Sequence, residues 1–202
     1  MKILFAGSPE SSAQILNSIV KEGFEVVGVI SQPDKRSNRG QSKEASYVSK
    51  EALKLGIPTF KPISLDQSFK EKLELLDFDF LLVSAYGKIL PDWLLKSPNV
   101  SPVNIHFSLL PKYRGASPIQ TAILNGDKKT GVSIIKMIQG MDEGPVYCFH
   151  ETQILIDENK KELEDRLTSL CVKNIAKDLD NIFHKKLSPT QQNDSEASYC
   201  KK

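Results

Sequence analysis

Two short apolar runs, Ile3 to Ala6 and Phe24 to Ile30, flank a stretch in which Ala13, Ile15, Leu16, Ile19 and Val20 recur at near-helical spacing. Gly7-Ser8-Pro9 separates the first run from that stretch and marks a turn into a helix. A strand, a helix and a second strand in this order form the crossover unit that joins parallel strands, because parallel neighbours need a connection of a dozen or more residues. The opening thirty residues thus point to an α/β fold. Phe78 to Ser84 is almost wholly apolar, as suits a central strand covered on both faces. Further strands are expected near Pro58–Phe60 and over Val100–Phe107, Gly131–Met137 and Val146–Ile156, and helices over Ala45–Leu55, Ser68–Leu76 and Ser117–Leu124. Leu163, Leu167, Leu170, Cys171, Ile175, Leu179 and Ile182 trace one face of a long helix from Asn159 to His184. Together they predict a twisted, mainly parallel sheet with helices on both faces.

With 202 residues, 40% hydrophobic and 26% charged, the chain can bury a substantial core and is not a disulfide miniprotein. A net charge of +2 falls short of a dedicated nucleic-acid domain, so any such contact is local. Three widely spaced cysteines without a CxxC pair suggest reduced thiols and a cytoplasmic setting, and no metal is expected. The N-terminus reads as a strand, not a leader, and no apolar run reaches the length of a membrane span. The polar stretch Ser31 to Glu44 reads as a surface loop of functional length. Across Pro33–Lys50, Lys35, Arg36, Arg39, Lys43 and Lys50 face only Asp34 and Glu44, enough to neutralise a few phosphates.

Chemistry concentrates after the Val100–Phe107 strand. Asn104, His106 and Ser108 share one face of it, near the strand end where α/β sheets bind ligands. An amide donor beside an imidazole suits acyl chemistry: one polarises a carbonyl, the other moves protons. Gly140-Met141-Asp142-Glu143-Gly144-Pro145 is a tight loop that places Asp142 at a strand end, either to orient an imidazole or as a solvated turn acid. Leu109, Leu110, Pro111 and Pro118 give the loop after His106 a rigid apolar character suited to a ring-shaped ligand. Arg114 fits either an anion contact or a structural role bonding loop carbonyls. Gly7-Ser8-Pro9-Glu10 lacks the second and third glycines of a dinucleotide fingerprint. His150 and His184 read as ordinary strand or surface histidines.

Five ordered blocks carry a resemblance: Phe5 to Glu10, Ala85 to Pro91, Asn104 to Ile119, Thr130 to Ile134 and Met141 to Pro145, with Ser195 to Tyr199 in the tail. Together they resemble the catalytic domain of the methionyl-tRNA formyltransferase family. That resemblance implies a Rossmann-like formyltransferase fold over residues 1–187, with 188–202 a linker toward a C-terminal domain that the chain lacks. It implies transfer of the formyl group of 10-formyltetrahydrofolate to the amino group of methionine on initiator tRNA, by a cytoplasmic, monomeric enzyme without membrane contact. Asn104, His106 and Asp142 would be catalytic, Ser108, Leu109, Leu110 and Pro111 would contact the folate, and Arg39 would lie against the tRNA acceptor end. Formyltransferases acting on glycinamide ribonucleotide or an amino sugar share the Asn, His, Asp trio and form the alternative, as does a noncatalytic folate- or RNA-binding remnant. The departures from the family pattern are Ser101, where a glycine is usual, and Ser11 and Ser12, where larger residues are.

Overall fold

The computed structural model describes residues 1–36 and 43–201, which divide into two compact units, Met1–Pro102 and Val103–Lys202. The first unit opens with β1 (Lys2–Gly7), α1 (Glu10–Lys21) and β2 (Glu25–Ile30). β3 (Lys35–Arg36) and β4 (Lys43–Glu44) follow, pairing antiparallel, so part of the expected loop is a short ladder. Then come α2 (Tyr47–Lys54), β5 (Thr59–Phe60), α3 (Gln67–Leu73), β6 (Phe80–Ser84) and the single turn α4 (Asp92–Leu95).

β6, β1, β2 and β5 lie in that order with every neighbouring pair parallel, as the crossover pattern requires. All of β6 is buried, and so is β1 from Ile3 onward. Successive strand residues point to opposite faces, so both faces are covered. α1 turns Ala13, Ile15, Leu16 and Ile19 inward. The two serines of the opening block lie in this core. The Ser12 hydroxyl donates to the Ser84 carbonyl at 2.7 Å, joining the first turn of α1 to the end of β6.

The second unit begins on β7 (Ser101–His106), where Ser101 is itself buried, and continues through β8 (Arg114–Gly115), α5 (Pro118–Leu124), β9 (Lys129–Lys136), β10 (Val146–Gln153) and α6 (Lys160–Phe183). A single 3-10 turn, Asp194–Glu196, leads into β11 (Tyr199–Cys200). β7 pairs antiparallel with β9, and β9 with β10. The connection from β9 to β10 is too short for a crossover, so the chain must return antiparallel. The α/β expectation is met, with β9 running against both of its neighbours, β7 and β10.

α6 starts from a capping box in which Asn159 and Glu162 satisfy each other's backbone donors. Its buried face carries Leu163, Leu167, Cys171, Ile175, Leu179 and Ile182 and packs on β9 and β10. Among the described residues no helix is long and apolar enough to cross a membrane.

Residues 188–201 have the composition of a linker, yet they lie against the second unit. Thr190 bridges to Val146, and β11 pairs parallel with β8. The attachment is made by hydrogen bonds more than by apolar burial, which explains why composition conceals it.

Candidate active site

β7 delivers Asn104 and His106 two residues apart, and the loop between β9 and β10 returns Asp142 to them. The Asn104 amide donates to Asp142 Oδ1 at 3.1 Å. His106 Nδ1 lies 3.6 Å from Asp142 Oδ2, longer than a hydrogen bond and an ion pair only when the ring is protonated. The other ring nitrogen, Nε2, is 2.9 Å from the Tyr113 carbonyl. A carbonyl can only accept, so Nε2 carries a proton, and in the neutral ring Nδ1 is the bare nitrogen facing the carboxylate. His106 is 6% exposed, so water does little to screen that contact. Asp142 is thus placed against both the Asn104 amide and the His106 ring.

Asp142 is held from several sides. Its backbone takes a positive φ of 55°, tolerable for an aspartate. Oδ2 accepts the Gly115 backbone N–H at 2.9 Å. Gln192 donates to the carbonyls of both Asp142 and Gly144, each at 2.7 Å, clamping the loop from the tail. A Cβ at Gly144 would collide with the Lys136 carbonyl oxygen, so only glycine lets the loop close onto β9 here.

Arg114 is bound within the fold, by side chains of the tail rather than by the loop carbonyls expected. It is 2% exposed, and its guanidinium donates to Gln192 Oε1 at 3.0 and 2.9 Å, to the Tyr199 hydroxyl at 3.0 Å and to Asp194 Oδ1 at 2.6 Å. Burial disfavours its charge, but the bonds to Asp194 and Tyr199 outweigh this and hold its pKa above the usual value. Gly115, at φ 117°, presses against the Cys200 carbonyl oxygen, where any side chain would clash. The Tyr113 N–H donates to the Ser198 hydroxyl at 2.9 Å, and the Arg114 N–H to the Ser198 carbonyl at 2.8 Å. The residue whose carbonyl fixes the His106 ring is thus itself fixed by the tail.

Ser108, Leu109, Leu110 and Pro111 directly follow the site. Ser108 and Leu110 are buried, and Leu110 packs with Ile135 and Val146. The Ser133 hydroxyl donates to the Ser108 carbonyl at 2.6 Å and accepts the Leu110 N–H at 3.1 Å, locking the segment to β9. Leu109 and Pro111 are the half-exposed members, and their side chains are the ones available to a ligand. Arg39 lies outside the described residues. Sequence reasoning gave Gln192 and Ser198 no role because their partners lie 50 and 85 residues away; Ser198 falls in the Ser195–Tyr199 segment of the resemblance, but that segment does not reveal its partner.

The description "Formyl transferase" is that of the family profile matching residues 1–178. A methionyl-tRNA formyltransferase of Mycoplasmopsis pulmonis is 41% identical over 202 residues, covering 100% of this chain and 69% of that protein. The chain spans about two thirds of the length of the curated relatives it matches, 65% in the next two. Among solved structures, the N-formyltransferase of Helicobacter canadensis in complex with folinic acid and dTDP-3-aminofucose superposes with TM-score 0.76 at 25% identity, over 99% of this chain and 70% of that one. The phosphoribosylglycinamide formyltransferase of Anaplasma phagocytophilum gives TM-score 0.78 at 22% identity, over 98% and 96%, a likeness of fold.

Proposed function

The chain belongs to the formyl transferase family, and from that premise we propose that it moves the formyl group of 10-formyltetrahydrofolate to the amino group of methionyl-tRNA. The observation that carries the reading is the convergence of Asn104, His106 and Asp142, an amide, an imidazole and a carboxylate joined by contacts of 3.1 and 3.6 Å. Formyl transfer needs an oxyanion stabilised and a proton removed, and this trio has a group for each task.

In the proposed mechanism the amine attacks the formyl carbon, and the carbonyl oxygen becomes an oxyanion. An amide nitrogen has two N–H groups. One from Asn104 bonds Asp142, and the other is assigned to the oxyanion. His106 Nδ1 takes the proton lost by the attacking nitrogen, and Asp142 stabilises the resulting imidazolium. That proton then passes to the departing folate nitrogen as the tetrahedral intermediate collapses, and His106 returns to its neutral form. Tyr113 holds the ring so that Nδ1, not Nε2, does this work. Leu109 and Pro111 supply the apolar wall for the folate ring, and Arg39 a contact to the acceptor stem.

The identity of about 40% with methionyl-tRNA formyltransferases supports a tRNA-linked amine over the sugar and ribonucleotide amines of more distant relatives. The test offers methionyl-tRNA, glycinamide ribonucleotide and a nucleotide-linked amino sugar as acceptors with one formyl donor. Preference for methionyl-tRNA in kcat/KM supports the proposal. Preference for either small amine replaces it, and no transfer to any acceptor makes the chain a binding protein.

A further inference from the structure

A second polar cluster in the Val103–Lys202 unit takes no part in this chemistry. Cys148 and His150 stand two apart on β10, so their side chains leave the same face, and Asp178 comes from the buried face of α6 packed against that strand. His150 Nε2 lies 2.6 Å from Asp178 Oδ2 and 3.9 Å from Cys148 Sγ. The three donor atoms lie within 4.8 Å of one another. Asp178 is 9% and His150 18% exposed at the side chain, so the cluster is sheltered but reachable from the histidine side.

One ordinary explanation fits poorly. In a nucleophile–base–acid relay the two ring nitrogens face different partners, whereas here one nitrogen faces both sulfur and carboxylate.

We propose that Cys148, His150 and Asp178 form a binding site for a zinc-class divalent ion, with water as the fourth ligand. A thiol, an imidazole and a carboxylate form the mixed S, N, O set that borderline ions take and that magnesium and calcium do not. Tetrahedral zinc places nitrogen and oxygen ligands about 3.3 Å apart, and nitrogen and sulfur about 3.5 Å apart. The His150–Asp178 contact therefore opens and the Cys148–His150 contact closes, each by less than about 1 Å. Coordination releases the thiol proton to solvent, and the proton that Nε2 shares with Oδ2 passes to Nδ1, so that a neutral imidazole binds through Nε2. The ion would cross-link β10 to α6, which makes it a structural clamp independent of the formyl-transfer reading. Sequence analysis expects no metal because the cysteines form no CxxC pair, and it reads His150 as an ordinary histidine because its partner Asp178 lies 28 residues farther on.

The test adds cobalt(II) to the chelator-treated full chain. The expected result is one equivalent bound, with visible absorption typical of tetrahedral cobalt and a near-ultraviolet thiolate-to-cobalt band, both removed by zinc. Cys148→Ser should lose the thiolate band and Cys171→Ala keep it. Zinc at a hundredfold excess over Kd should also raise the wild-type Tm by roughly 5–10 °C, reversibly with chelator. A wild-type chain with no thiolate band would overturn the proposal. So would a band that survives Cys148→Ser or disappears with Cys171→Ala.

Discussion

At His106 the two ring nitrogens have unequal surroundings. Nε2 is tied to the Tyr113 carbonyl at 2.9 Å, while Nδ1 faces Asp142. The proposed roles give each neighbour its own signature. His106→Ala removes the proton carrier and should lower kcat by roughly 10²–10⁴. Asn104→Ala removes one oxyanion donor and should cost roughly 10²–10³. Asp142→Asn keeps the size but loses the charge opposite Nδ1, so kcat should fall while KM for the folate moves little. Steady-state formylation rates, with circular dichroism to confirm folding, check all three. Asn104 and His106 are legible in the sequence because strand alternation puts them on one face. Asp142 is legible only as one of two readings, since a Gly-flanked acid in a hairpin is as often a solvated turn residue. Its partners decide between them, and the Gly115 N–H and Gln192 lie far off in the chain.

At the scale of elements, the tail and the α1–α2 contact each make a prediction. Gln192 accepts from Arg114 through its oxygen and donates to the Asp142 and Gly144 carbonyls through its nitrogen. Gln192→Ala should loosen the Asp142 loop and lower kcat by roughly tenfold, about 1.4 kcal/mol of transition-state stabilisation. Gln192→Glu keeps the Arg114 contact but sets a carboxylate against two carbonyls, so it should be the slower of the two. A Glu variant as fast as wild type would show that the clamp has no part in positioning Asp142.

In the other unit, Asn17 donates to Glu51 at 2.5 Å, and this bond, with Lys54, holds the Glu51 pKa below the usual carboxylate value. A lowered folded pKa contributes stability above the unfolded value, about 4.3, that is lost as pH falls through the folded one. Glu51→Gln should therefore flatten the loss of stability below about pH 4, as read from urea midpoints against pH. The longer strands and helices were legible because their periodicity reflects burial. β3, β4, β8 and β11 were not, because two residues held by hydrogen bonds leave no periodic trace.

For the whole molecule, a net charge of +2 offers little general attraction to tRNA, so the proposed acceptor contact depends on local charge. Arg39→Ala should raise KM for methionyl-tRNA most at low salt and leave folate affinity unchanged, as measured by formylation kinetics across a salt series. Equal loss of folate affinity would place Arg39 in the donor pocket instead. Whole-chain composition identifies an ordinary globular protein, the order of strands and helices adds an α/β fold, and both stop there, since any chemistry fits such a frame. The ordered motif blocks narrow it to formyl transfer. The central claim is that one constellation, Asn104, His106 and Asp142, transfers formyl to methionyl-tRNA. Its most direct test is a single-turnover reaction with labelled 10-formyltetrahydrofolate and methionyl-tRNA, comparing the wild-type chain with His106→Ala. The account predicts labelled formylmethionyl-tRNA from wild type and a loss of at least about a hundredfold in the variant. Equal rates from the two chains, or no labelled tRNA from wild type, would contradict it.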